Sequence, residues 1–107
     1  MKKEIVRNKI DEIARLLYEK YNANKVILFG SYAYGKPHEY SDIDLLIIKE
    51  TKERPIDRIV YVKRLVRNLR EGIPFSPIVM TPTELDNRLK IGDQFIEEII
   101  EQGVEIR

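Results

Sequence analysis

Two short apolar runs, each bounded by small or acidic residues, constrain the fold of this chain most. Residues 26–29 (VILF) lead directly into a Gly-Ser pair at 30–31, and residues 45–48 (LLII) follow an Asp-Ile-Asp segment at 42–44. Short apolar runs next to turn residues are typical of strands buried in a sheet. The combined pattern, G-S-x10-D-x-D, therefore predicts two strands joined by a polar loop.

The two aspartates of this pattern are candidate metal ligands. Side chains in a strand repeat their direction every second residue, so Asp42 and Asp44 are expected to point to the same face. Paired carboxylates of this kind can bind hard divalent cations such as Mg²⁺. A turn at Gly30 and Ser31 can present N–H groups and a hydroxyl to phosphate oxygens. Together these residues predict a site for a metal–nucleoside triphosphate.

Length and composition exclude several classes of protein. At 107 residues the chain is predicted to form one domain, residues 1–107. It contains no Cys, which excludes disulfides, Cys-ligated zinc and thiol chemistry. Charged residues make up 35% but the net charge is only +1, which argues against a dedicated duplex-DNA binder. Without a leader or an apolar run of membrane-spanning length, we expect a cytoplasmic protein with no membrane partner.

The order of elements is predicted to be α-β-β-α-β-α-α, with a possible terminal strand. Strands are expected at 25–29, 42–48, 75–80 and possibly 104–106, and helices at 3–21, 55–70, 82–89 and 94–102. The second strand is apolar at every inner position, which favours a central place covered on both faces. The prediction is a small α/β or α+β domain with a mixed sheet of three or four strands flanked by helices.

Three further expectations concern side chains outside the motif. Pro77 lies inside the third strand, which favours an edge position or a strand start. The core side of the last helix is predicted to consist of Phe95, Ile96, Ile99 and Ile100. The helix at 55–70 is predicted to carry a basic solvent-facing side, which is either simply solvated or a docking surface for an acidic partner or RNA. Its members are Arg58, Lys63, Arg64, Arg67 and Arg70.

The motif resembles that of a known family. Residues 28–35 (LFGSYAYG) and 41–47 (SDIDLLI) are similar to the minimal nucleotidyltransferases, which belong to the DNA polymerase β-like superfamily. The resemblance extends over nearly the whole chain in element order and length. It implies the nucleotidyltransferase fold.

This resemblance also implies roles for the motif residues. Gly30 and Ser31 would hold the β- and γ-phosphates of ATP, and Asp42 and Asp44 would bind two Mg²⁺ ions. The metals would orient an attacking hydroxyl and neutralise charge at the α-phosphorus as pyrophosphate leaves. General chemistry agrees, because nucleotidyl transfer depends mainly on positioning and charge stabilisation.

The sequence departs from the family pattern at the third strand. Active members usually carry a third carboxylate there, and Ser76 stands at that position. Serine has no negative charge and is a poor general base near neutral pH. Asp57, in the first turn of a helix, and Glu84, in a capping box, are not obvious replacements. Nucleotide binding is expected to survive this change, whereas the sequence leaves open whether the protein is catalytically active.

The loop after Gly30 differs as well. Family members often have Arg there, and this chain has Tyr32 and Tyr34. These rings either contact a nucleotide or pack beside the loop. Lys36, the only cation in the loop, either reaches a phosphate or is solvated.

Two functions follow from the resemblance. Stand-alone minimal nucleotidyltransferases resemble the antitoxins of toxin–antitoxin pairs, so the first is transfer of AMP from Mg-ATP to a tyrosine of a HEPN-type toxin. The second is a nucleotide- or partner-binding antitoxin module with weak or no catalysis, which the serine at position 76 favours.

Overall fold

A computed structural model describes residues 3–35, 37–38 and 41–107, and these form one four-stranded sheet with two helices on each face. The elements, in chain order, are α1 (Lys3–Lys20), β1 (Lys25–Phe29), β2 (Ile43–Ile48), α2 (Pro55–Arg70), β3 (Phe75–Met80), α3 (Pro82–Lys90), α4 (Gln94–Gln102) and β4 (Val104–Ile106). The predicted order, including the terminal strand, is confirmed. Asp42, predicted as the first residue of the second strand, lies just before it.

The sheet has the strand order β3-β2-β1-β4. β2 pairs antiparallel with β1 and parallel with β3, and β1 pairs antiparallel with β4. The predicted mixed sheet is therefore confirmed, with β2 inside it. β3 is an edge strand, as Pro77 indicated, and it runs regularly through this proline with Pro77 opposite Leu45.

Local sequence signals account for the ends of three helices. Pro55 occupies the first turn of α2, and Glu71, which follows the last residue of this helix, adopts the left-handed conformation. In α3, Thr81 and Glu84 form a reciprocal capping box. The Asp93 side chain caps α4 by accepting a hydrogen bond from the backbone N–H of Ile96. The last two caps set where α3 begins after β3 and where α4 begins after α3.

Two apolar layers enclose the sheet. α1 and α2 pack on one face, where the odd-numbered residues of β2 point. α3 and α4 pack on the other face, against Ile27, Phe29, Leu46 and Ile48. Because both faces of β2 are covered, its apolar residues are nearly inaccessible to solvent. In the part of the chain that the structure describes, no helix is both long and apolar enough to cross a membrane.

The predicted core side of α4 is wrong at two positions. Ile96 and Ile99 are buried, whereas Phe95 is 53% exposed and Ile100 is 40% exposed. This nine-residue helix meets the sheet along a single i, i+3 stripe, so the residues that flank the stripe project from its sides. Phe95 thereby becomes an exposed aromatic ring rather than part of the core.

The predicted basic face of α2 is wrong at Arg58, which is buried. Its guanidinium donates to the backbone oxygens of Glu53 and Val79 and to the carboxylate of Glu84, the last at 2.6 Å. A buried cation needs such partners because desolvation disfavours its charge. The hydrogen bond from Arg58 holds the pKa of Glu84 below its usual value. Arg58 therefore joins α2 to the end of β3 and the start of α3.

Candidate functional site

The two aspartates and Ser76 come together at the end of the sheet where β2 and β3 begin. Asp44 lies opposite Ser76 on β3 and opposite Phe29 on β1. Residues paired across strands share a face, and this is the face covered farther along by α3 and α4. Asp42 lies two residues before Asp44, and its carboxylate accepts a 2.7 Å hydrogen bond from the Ser76 hydroxyl. The register places Ser76 directly beside the carboxylate pair.

Gly30 brings the backbone against the Asp44 carboxylate. Its φ is +74°, and a methyl group built there would overlap Asp44 Oδ2 and lie 3.0 Å from Cγ. Both the left-handed conformation and the close approach require glycine. The loop is therefore held directly over the acidic site.

A tight turn follows Gly30. The backbone N–H groups of Ala33 and Tyr34 both donate to the Gly30 carbonyl oxygen at 3.0 Å. The Ser31 hydroxyl, at the head of this turn, forms no hydrogen bond within the described ranges. Its capacity to donate is thus available to a ligand.

The two loop tyrosines take different positions. Tyr32 packs against the core on the α1–α2 face, and burial raises the pKa of its hydroxyl. Tyr34 is 40% exposed. Lys36 lies outside the described residues. Of the two alternatives from the sequence, contact with a nucleotide or packing beside the loop, Tyr32 therefore follows the second.

The electrostatics of the site favour a cation. Burial, and secondarily the charge of Asp42, raise the pKa of Asp44 to about 6, from a usual 3.8. A bound divalent ion would offset both the desolvation of Asp44 and its repulsion by Asp42, and carboxylate oxygens are the ligands that Mg²⁺ prefers. Among the described residues, however, no group of three or more His, Cys, Asp or Glu side chains could hold a metal ion. The two aspartates supply the carboxylates and Ser76 supplies a neutral hydroxyl.

Neither acid considered as a replacement for the third carboxylate reaches the site. Asp57 pairs with Arg54 at 3.0 Å on the surface of α2. Glu84 is engaged by Arg58 and by the Thr81 backbone N–H. The structure therefore places Ser76, and neither of these acids, beside the aspartates.

A cavity of about 660 Å³ lies on the far side of the loop. Tyr32, His38, Ser41 and Glu71 are among its lining residues, and Asp42 and Asp44 are not. The carboxylates instead lie at the end of the sheet where β2 and β3 begin, and both side chains are partly buried. The candidate site therefore lies outside this cavity.

Sequence reasoning did not identify two aromatic residues at this surface. The Phe29 ring, next to Asp44 across the strands, contacts the Phe95 ring edge to face with centroids 5.9 Å apart. The position of Phe29 immediately before Gly30 was an available signal. Phe95 had no such signal, because its helix is distant in sequence and its position belongs to the predicted core side of that helix.

The raised pKa of Asp44 predicts a pH-dependent stability. Between pH 3.8 and about 6 the folded protein holds a proton on Asp44 that the unfolded chain has released, so stability falls as pH rises through this window. Asp44→Asn is expected to remove that fall. Without metal above pH 6, it should be more stable than the wild type by about 1 kcal/mol, after allowance for solvent screening.

Thermal unfolding in EDTA at pH 5 and pH 7.5 measures this effect. Asp86→Asn, at an exposed site on α3, is the matched control and should follow the wild type. An Asp44→Asn protein that is less stable than the wild type at pH 7.5 would contradict the prediction.

Comparison with known proteins identifies the family. The family model for the nucleotidyltransferase domain matches residues 10–106. A Methanocaldococcus jannaschii relative named "Putative protein adenylyltransferase" is 39% identical over 90 residues, which cover 79% of this chain and 61% of that protein. A second relative of that organism and description is 36% identical over 106 residues, with 96% of each chain covered.

A solved structure described as a putative nucleotidyltransferase from Sulfolobus solfataricus is 25% identical, with a TM-score of 0.48. The match covers 79% of this chain and 71% of that one. The chain spans less than two thirds of the first relative's length and nearly all of the second's. With a family model that extends over almost its whole length, this chain belongs to the nucleotidyltransferase domain family.

Proposed function

We propose that this protein binds Mg-ATP and transfers AMP to a hydroxyl of a partner protein, a tyrosine of a HEPN-type toxin. One observation carries the proposal: the carboxylates of Asp42 and Asp44 lie together, with Gly30 packed against Asp44 and the pKa of Asp44 raised to about 6. The name "protein adenylyltransferase" carried by two relatives supports ATP as donor and protein as acceptor. The toxin and its tyrosine rest on the family resemblance.

Each motif residue has a role in this reaction. Asp42 and Asp44 would hold Mg²⁺, two ions by the family resemblance, and Gly30 and Ser31 would bind the β- and γ-phosphates. When bound, Mg²⁺ neutralises phosphate charge and favours departure of pyrophosphate. The acceptor oxygen forms a bond to the α-phosphorus as the bond from that phosphorus to the bridging oxygen breaks. The acceptor hydroxyl releases its proton to solvent water, and the products are an AMP ester and pyrophosphate.

Ser76 supports a second candidate function, a binding module with slow or absent chemistry. It lies beside the metal-binding pair, yet its hydroxyl donates to Asp42 and is not a base for the acceptor proton. In this role the same surface would hold nucleotide or the toxin and neutralise the toxin without modifying it.

The intact mass of a HEPN-domain toxin, co-expressed with this protein, tests both candidates. AMP transfer predicts one or more added AMP units on the toxin. These should be lost with Asp42→Asn/Asp44→Asn and when the acceptor tyrosine is changed to phenylalanine. An unmodified toxin that is bound and inhibited would favour the binding module. A toxin that is neither modified nor bound would exclude both.

A further inference from the structure

We infer that Phe95 is the residue against which the nucleobase of bound ATP stacks, an inference that rests on the proposed function. Phe95, in the first turn of α4, is 53% exposed although its helix neighbours Ile96 and Ile99 are buried. Single exposed apolar residues are common, so exposure alone does not identify a site. The location and orientation of the ring carry the inference.

The ring of Phe95 is held at the edge of the acidic surface. It packs edge to face on Phe29, which is 8% exposed and lies opposite Asp44 in the strand register. Such aromatic pairs have a preferred geometry, so buried Phe29 fixes the position of the exposed ring. Ser76, Asp44 and Phe29 thus form a row across three strands, and Phe95 contacts Phe29 at one end of that row.

A nucleotide has a charged phosphate end and an apolar base, and the row offers a carboxylate pair at one place and an aromatic ring at another. The phosphates are assigned to the Gly30 turn and the Asp42–Asp44 pair. The base must then lie about one nucleoside length away, on a surface that can cover an apolar π-face. Phe95 contacts Phe29, which in turn lies opposite Asp44, so a single side chain links the exposed ring to the carboxylate pair. Aromatic rings stack on bases without a need for hydrogen-bond readout.

Affinities for Mg-ATP and for Mg-tripolyphosphate distinguish the contribution of the base to binding from that of the phosphates. Phe95→Ala should weaken binding of Mg-ATP by roughly 5- to 150-fold, since stacking of one base on an aromatic contributes in that range. Binding of Mg-tripolyphosphate, which has the phosphates but no base, should be unchanged. Ile100→Ala, at an exposed apolar site on the same helix, should leave both affinities unchanged.

A fluorescent variant provides a second readout. Because the chain contains no Trp, Phe95→Trp and Ile100→Trp each create a single reporter. Mg-ATP should quench the reporter at position 95 and Mg-tripolyphosphate should not. Neither ligand should affect the reporter at position 100.

The possible failures are distinguishable. If the wild type binds neither probe, the proposed function fails and this inference fails with it. If the wild type binds ATP and Phe95→Ala binds it equally well, only the inference is overturned. Equal losses of ATP and tripolyphosphate binding would also overturn it, as would a loss confined to affinity for the acceptor protein.

Discussion

Asp42→Asn/Asp44→Asn is expected to abolish metal-dependent nucleotide binding and to lower AMP transfer by at least about 10³-fold, because metal assistance contributes several kcal/mol. Asparagine keeps the shape of each side chain and removes the negative charge that a hard cation requires. The fold should persist, since both side chains are only partly buried. In the metal-free protein, the variant also lacks the repulsion between the two carboxylates. Calorimetric titration of ATP with and without Mg²⁺ measures the binding.

Asp11→Asn/Asp86→Asn provides the control. Both residues are exposed on helices, so this variant makes the same change in net charge away from the site. It should bind Mg-ATP like the wild type. If the folded Asp42→Asn/Asp44→Asn protein kept its Mg²⁺-dependent affinity for ATP, the metal assignment would be wrong.

Local patterns were sufficient to predict the elements and the central strand. Apolar runs at 26–29 and 45–48, the capping box at 81–84 and Pro55 each act within a few residues, so their consequences are readable from the sequence. The position of Asp42 and Asp44 at the start of β2 follows from the same short-range pattern. Their binding roles stay predictions.

Contacts between distant segments were not predictable in the same way. Arg58 reads as a solvent-facing residue by its spacing on α2, yet its carboxylate partner Glu84 lies 26 residues away. Phe95 is predicted to be a core residue because helical periodicity shows which side of a helix is apolar. Periodicity does not show how wide a part of that side is buried. Only the packed sheet shows that α4 buries one narrow stripe. The approach of Gly30 to Asp44 likewise depends on the register of β1 and β2.

The register also places Ser76 beside the two aspartates, at the position where the family resemblance implies a third carboxylate. Its hydroxyl lies 2.7 Å from Asp42 Oδ2, so a carboxylate at position 76 would stand beside the aspartate pair. A proline next to position 76 could in principle distort the strand there. β3 instead stays paired with β2 through Pro77, which removes that objection.

Ser76→Asp is therefore expected to raise the rate of AMP transfer to a co-expressed toxin by about 10²- to 10⁴-fold, the usual contribution of general-base assistance. Without metal it should lower stability above pH 6, because a third negative charge joins Asp42 and Asp44, and Mg²⁺ should restore that stability. Ser76→Asn is the matched control, since it has nearly the same shape without the charge and should show neither effect. If wild-type transfer is already fast and Ser76→Asp changes it by less than a few-fold, a third carboxylate at this position is not required. The binding-module alternative would then lose its main support, because Ser76 would no longer be a defect in the catalytic site.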